Sequence, residues 1–188
     1  MRVLGISGSL RRDSYNSGLL RAAADLLPPG AELEVFDALK AIPPYDADDD
    51  GDLAPAPVHA LREAIAAADA VLVATPEYNA SVPGVLKNAL DWASRPHATN
   101  PLRGKPTAVI GTSTGMFGAV WAQADARKIL STIGARVLDR ELPVPEAAER
   151  FDAGGMLRDT EVEAQLSELL AELGDAVEAR EAALARAA

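Results

Sequence analysis

Short apolar runs alternate along this chain with longer stretches of helical periodicity, and this alternation restricts the fold more than any other feature. Runs that are apolar almost throughout, such as Ala70–Thr75 and Thr107–Gly111, suit strands buried on both faces of a parallel sheet. The pattern predicts five strands, at Arg2–Ile6, Glu32–Phe36, Ala70–Thr75, Thr107–Gly111 and Arg136–Leu138. Helices fill the gaps, at Ser17–Leu27, Pro57–Ala68, Gly84–Ser94, Gly118–Ile133 and Thr160–Ala185. In the last of them Val162, Leu166, Leu169, Leu170, Leu173 and Val177 share one face, which predicts docking on the sheet. Consecutive βαβ units require right-handed crossovers, and the parallel order 2-1-3-4-5 is one of the few that remain. The 188 residues are expected to form a single α/β domain, 1–188.

Composition removes whole classes of function. The chain has no cysteine, which excludes disulfides, thiolate metal sites and cysteine nucleophiles. A net charge of −10 repels nucleic-acid phosphates and anionic lipid, so no nucleic-acid partner is expected. No run is apolar enough for a membrane span, and the amino terminus enters a strand-like run directly, which leads to an expectation of cytoplasmic location and no membrane partner. Asp46, Asp48, Asp50 and Gly51 match the opening of a calcium loop, but its last ligand position falls on Pro57, so a solvated acidic loop is expected and no metal. His59 and His97 lie in polar surroundings and suit surface roles.

Ligands of such sheets bind beyond the carboxyl ends of the strands, near the switch in strand order. The first of these loops, Ser7-Gly8-Ser9-Leu10-Arg11-Arg12-Asp13-Ser14-Tyr15-Asn16-Ser17, is dense in donors and feeds a helix. Free N–H groups at a helix start, hydroxyls and a forked arginine each favour a phosphate. The same residues also suit a plain N-cap after a polar turn. Neither a G-x-G-x-x-G fingerprint nor a P-loop is present there. The loop after the third strand, Thr75-Pro76-Glu77-Tyr78-Asn79-Ala80-Ser81-Val82-Pro83-Gly84, is stiffened by two prolines and suits the edge of a flat polar ring; it also suits a bare strand-to-helix turn. Thr112-Ser113-Thr114-Gly115 looks like the phosphate loop of small flavodoxins, but it follows the fourth strand, a place for ring or ribityl contact.

Gly8-Ser9-Leu10-Arg11 with Ser14-Tyr15-Asn16, and Pro76-Glu77-Tyr78-Asn79 running on to Leu90-Asp91-Trp92, resemble the NADPH-dependent FMN reductase family, which includes bacterial chromate and quinone reductases. Ile42-Pro43-Pro44-Tyr45-Asp46 is similar to the family's segment after strand two, and the likeness runs through about Leu142. The resemblance implies a flavodoxin-like three-layer sandwich that binds FMN and draws electrons from NADPH or NADH. By it, Ser9, Leu10, Arg11, Arg12, Ser14, Tyr15 and Asn16 would hold the phosphate, Pro76, Glu77, Tyr78 and Asn79 would line the ring, and Ser113 and Thr114 would close the site. Relatives carry Gly-Gly and then an arginine where Gly118-Ala119-Val120-Trp121 stand here.

The implied activity is NAD(P)H-dependent reduction of quinones or other small oxidants, by ping-pong kinetics on one open ring face. The cofactor carries the chemistry, so no catalytic side chain is assigned. A noncatalytic FMN electron carrier is the rival reading, and a flavin-free regulatory module would leave the donor-rich loop unexplained. Leu86, Leu90 and Trp92 exceed what one sheet-covering helix needs, which predicts an exposed patch over Pro83–Trp92 and self-association as a dimer or tetramer.

Overall fold

The computed structural model describes residues 1–187. The sheet consists of β1 (Arg2–Ser7), β2 (Glu32–Val35), β3 (Ala70–Thr75), β4 (Pro106–Thr112), β5 (Arg136–Val137) and β6 (Pro143–Val144). All pairings are parallel and the order is β2-β1-β3-β4-β5, as expected of a flavodoxin-like sheet. The helices are α1 (Tyr15–Leu26), α2 (Ala56–Ala67), α3 (Gly84–Ala93), α4 (Val120–Thr132), the single turn α5 (Ala147–Arg150) and α6 (Thr160–Ala187).

Period-two alternation divides the core between the faces of the sheet. Val3, Leu72, Ala74 and Ile110 face α1 and α6, where Leu19, Leu166, Leu169 and Leu173 are fully buried. Leu4, Ile6, Val71, Val73 and Val109 face α2, α3 and α4. The predicted apolar face of α6 is the one that docks.

The fifth strand differs from expectation. It is cut in two: β5 pairs with Pro106–Thr107, β6 pairs with Gly111–Thr112, and Leu138–Leu142 bulges between them. Arginines hold the bulge from both sides. Arg140 pairs with Glu168 and Glu172 of α6, while Arg127 of α4 pairs with Asp139 and Glu141.

The expected patch on α3 is also overturned. Leu86, Leu90 and Trp92 are buried: Leu86 lies against Gly8 of the first loop, and the segment after β2 folds over Trp92. Trp92 Nε1 and Asn88 Nδ2 both donate to the Pro43 carbonyl, at 2.9 and 2.8 Å, and Tyr45 N donates to Asn88 Oδ1 at 2.8 Å. The Tyr45 ring meets Trp92 edge-on at 4.8 Å. The surplus apolar surface of α3 is thus covered within the chain. In the acidic segment that follows, Asp46 and Asp50 cap short turns, and Asp50 pairs with Arg62.

Candidate functional site

The loops leaving the carboxyl ends of β1, β3 and β4 converge on one cleft of about 210 Å³. The first loop brings Ser9, Arg11, Ser14, Tyr15 and Asn16, the second Pro76, Glu77 and Tyr78, and the third Thr112, Ser113 and Thr114. Gly8 permits the approach of the first two loops. A Cβ there would stand 3.1 Å from a Leu86 methyl and 3.2 Å from Pro76 Cδ.

The start of α1 combines a cap with free donors. Ser14 Oγ accepts from Ser17 N and the Ser14 carbonyl accepts from Gly18 N, leaving the Tyr15 and Asn16 N–H groups without an intrahelical acceptor. These two N–H groups lie at the positive end of the helix dipole, where an anion is favoured. The Asn16 side chain is already committed. It is buried and bridges the Thr112 backbone, donating to the carbonyl at 3.0 Å and accepting from the N–H at 3.1 Å. Only its backbone N–H remains for a ligand, and its side chain instead locks the third loop to α1. The guanidinium of Arg11 lies 5.3 Å from the centre of the Tyr15 ring at the cleft wall. Leu10 lines an adjoining depression of about 370 Å³ with Gly8, Tyr78 and Pro83–Val85. Arg12 lies outside the cleft, on a neighbouring cavity.

The second loop is a built turn. Tyr78 and Ser81 exchange backbone hydrogen bonds at 3.0 and 3.2 Å, and Asn79 and Ala80 both have positive φ, 53° and 60°. This is the type I′ geometry that favours Asn-Gly, so Ala80 sits in a strained conformation. Asn79 is exposed at the turn's tip and does not line the cleft, whereas Tyr78 stands at the cleft mouth, 53% exposed. Glu77 lines the cleft, and its carboxylate has a further task. Its Oε2 accepts from the N–H groups of Trp121 and Ala122, at 3.1 and 3.2 Å, and so caps α4. The residue at the helix's own N-cap position is Ala119, which has no side-chain acceptor and a φ of 61°. Ser81 Oγ adds a second tie, donating to Asp125 Oδ2 of α4 at 2.6 Å.

The third loop is braced by chain that follows it. Ser113 N donates to the Val144 carbonyl, and Ala147 N donates to the Ser113 carbonyl. Buried Gln123 donates to the Gly118 carbonyl at 3.0 Å and accepts from Leu142 N at 3.2 Å.

Thr112, the first residue of the third loop, is held in the lining by Asn16. Other features of the site escaped sequence reasoning. Met116, Phe117 and Trp121 are exposed to 70%, 55% and 47%, with the last two rings meeting at 4.9 Å. The turn Asp152–Gly155 packs against α1, because Gly18 has no side chain; a Cβ there would stand 2.8 Å from the Gly155 carbonyl oxygen. A lone glycine inside the α1 pattern was the available signal for that close approach.

The donor set fits the phosphate of a flavin mononucleotide: two unpaired helix-start N–H groups, the Ser9 and Ser14 hydroxyls and the Arg11 fork. Comparison with known proteins points the same way. Residues 1–149 match the family model described as NADPH-dependent FMN reductase. An NAD(P)H-dependent FMN reductase of Pseudomonas aeruginosa is 48% identical over 160 residues, covering 85% of each chain. A 2-hydroxy-1,4-benzoquinone reductase of a Burkholderia species is 41% identical over 156 residues, covering 82% of this chain and 84% of the relative. Among solved structures, a flavoenzyme NAD(P)H:(acceptor) oxidoreductase of Paracoccus denitrificans superposes with a TM-score of 0.86 at 37% identity, covering 95% of this chain and 98% of the other.

Proposed function

Since the chain belongs to the NADPH-dependent FMN reductase family, we propose that the three-loop cleft holds FMN and that quinones, or similar small oxidants, are reduced there at the expense of NADPH or NADH. The chain is an FMN-dependent oxidoreductase, and its kinship with named reductases sets the electron-carrier reading aside. The observation that carries the assignment to this cleft is the convergence of Arg11 and the α1 start, Pro76 and Tyr78, and Ser113 and Thr114 on one cavity.

When bound, FMN supplies the acceptance of hydride from nicotinamide and the delivery of electrons to the oxidant. The chain's own residues bind and orient. Arg11, the Ser9 and Ser14 hydroxyls and the N–H groups of Tyr15 and Asn16 hold the phosphate. Pro76, Tyr78 and the backbone N–H groups of the second loop border the ring, and Ser113 and Thr114 close the opposite side. The Leu10, Tyr78 and Val85 depression gives the stacking partner an apolar floor. One such face serves donor and acceptor in turn, which requires ping-pong kinetics. Quinone protons come from solvent, because Glu77, the carboxyl that lines the cleft, is engaged by two N–H groups of α4.

The described chain works as one flavodoxin-like domain in the cytoplasm, and no described helix is long and apolar enough to cross a membrane. It self-associates as a dimer or tetramer through Met116, Phe117 and Trp121 rather than α3, since these three large apolar side chains stand uncovered within one short stretch of chain. The decisive experiment mixes FMN-loaded protein with NADPH or NADH without dioxygen, then adds a benzoquinone. Loss and quinone-driven return of flavin absorbance, with parallel double-reciprocal plots in the steady state, is the expected result. Absorbance that stays unchanged for minutes under excess of both nucleotides would refute the assignment.

A further inference from the structure

FMN has one phosphate, and the first loop carries more cationic side chains than that phosphate needs. Arg12 lines a second cavity, of about 300 Å³, together with Arg11, Arg21, Tyr15 and the Asp152–Gly155 turn. Arg11 and Tyr15 also border the flavin cleft, so the two spaces adjoin through them. None of Arg11, Arg12 and Arg21 forms an ion pair among the described residues. Arg21 is held in place by a 3.0 Å hydrogen bond from Nη2 to the Gly155 carbonyl. Of the two acids at the cavity, Asp152 is already matched: Arg158 donates to its Oδ2 at 2.6 and 2.8 Å, and Gly154 N and Met156 N donate to its Oδ1 at 2.9 Å. With Arg11 engaged at the flavin phosphate, the guanidiniums of Arg12 and Arg21 remain for this cavity and face one unpaired carboxylate, Asp13, on a chain whose net charge is −10.

A basic cavity beside a flavin cleft calls for a ligand with an anion some distance from the part that reacts. Nicotinamide dinucleotides are such ligands, and the two donors differ by one group, the dianionic 2′-phosphate on the adenosine of NADPH. Forked guanidiniums suit a phosphate dianion in charge and geometry. We propose that the cavity carrying Arg12 and Arg21 receives the adenosine 2′-phosphate end of NADPH and makes this enzyme prefer NADPH over NADH. The proposal rests on the reading of the neighbouring cleft as the flavin site.

The test uses FMN-loaded protein and two probes, adenosine 2′,5′-bisphosphate and 5′-AMP, titrated calorimetrically. The bisphosphate is expected to bind at least about tenfold tighter, the increment of one charged contact. Arg12→Ala should remove most of that difference and raise the NADPH-to-NADH ratio of KM values by about tenfold, while the FMN dissociation constant stays within about twofold. Arg21→Ala should act in the same direction, and Arg12, which makes no hydrogen bond to the cavity wall, guards against a change that merely loosens the turn. Equal binding of the two probes would overturn the proposal, as would a parallel rise in KM for both donors, which places the pyrophosphate there instead. Weaker FMN binding in Arg12→Ala would return that arginine to the flavin phosphate and also overturn it. A protein that takes up no FMN at all fails earlier, at the cleft itself, and is distinguished by its lack of flavin absorbance.

Discussion

Replacing Glu77 separates two roles that its sequence position confounds, contact with flavin and support of a helix. Its Oε2 accepts two backbone N–H groups at the start of α4, at 3.1 and 3.2 Å, where no other side chain caps the helix. Loss of an N-cap acceptor costs about 1 kcal/mol, within a range of about 0.5–2, and a carboxylate at a helix start adds about 0.3–1 kcal/mol through the dipole. Glu77→Ala should therefore destabilise the fold by about 1–2 kcal/mol. For a domain of this size each 1 kcal/mol moves Tm by about 2–4 °C, so a fall of about 2–8 °C is expected. Glu77→Gln keeps a neutral acceptor and should lose about 1–4 °C. The measurement is thermal unfolding of flavin-free protein by circular dichroism, because bound ligand would shift Tm by mass action. Ser81 still ties the turn to Asp125, so FMN affinity should change less than in Arg11→Ala. A Tm equal to wild type in Glu77→Ala, with a tenfold loss of FMN, would refute the cap and return the carboxylate to the flavin.

Four further outcomes follow from the same structure. Arg11→Ala should weaken FMN by about 1.5–3 kcal/mol, tenfold or more, in a fluorescence-quenching titration, whereas an unchanged constant removes Arg11 from the phosphate site. Ala80→Gly places glycine at a φ of 60° on an exposed turn and should stabilise the protein by about 0.4–1 kcal/mol in urea unfolding; a loss of stability would contradict the strain assigned there. Trp121→Asp should shift sedimentation toward monomer at micromolar concentrations, and an unmoved profile would exclude this surface from assembly. Hydrogen bonds from the Met156 and Val162 N–H groups, reinforced by Arg158 and Arg150, hold the Asp152 and Asp159 carboxyls below their usual range. Their stabilising contribution is thus complete above the unfolded carboxylate value and lost as pH falls through the lower folded values. Residues 152–159 should keep their hydrogen-exchange protection from pH 7 to about 5 and lose it below about 4. Loss of protection already between pH 7 and 6 would show that other groups control the segment.

The layers of the fold were legible because periodicity reports burial directly. What periodicity does not report is the covering partner. Leu86, Leu90 and Trp92 suggest an interface by sequence, yet all three are buried, and Trp92 is covered by the Pro43 carbonyl and the Tyr45 ring, reached through contacts remote in sequence. The split of the last strand was hidden for a related reason, since β5 and β6 are two residues each and exist through their pairing with β4. At the site, the three loops were found from chemistry and strand order alone. The further tasks of two residues were not legible: the Asn16 side chain bridges the Thr112 backbone and the Glu77 carboxylate caps α4, beside the backbone N–H groups that both residues offer the cleft. The Tyr78–Ser81 turn passed unnoticed because alanine occupies the place where glycine would have signalled it.

The interrupted outer strand also governs what this sheet can become in a crowded solution. An open edge is a template on which another chain can lay a strand. Here the edge beside β4 offers only two-residue footholds, separated by a bulge that carries Asp139, Arg140 and Glu141. The opposite edge, β2, presents Glu32 and Glu34 to solvent. Neither border invites lateral growth into fibrils, so any contact between copies falls to helices and loops, with the ends of the strands left to the ligands.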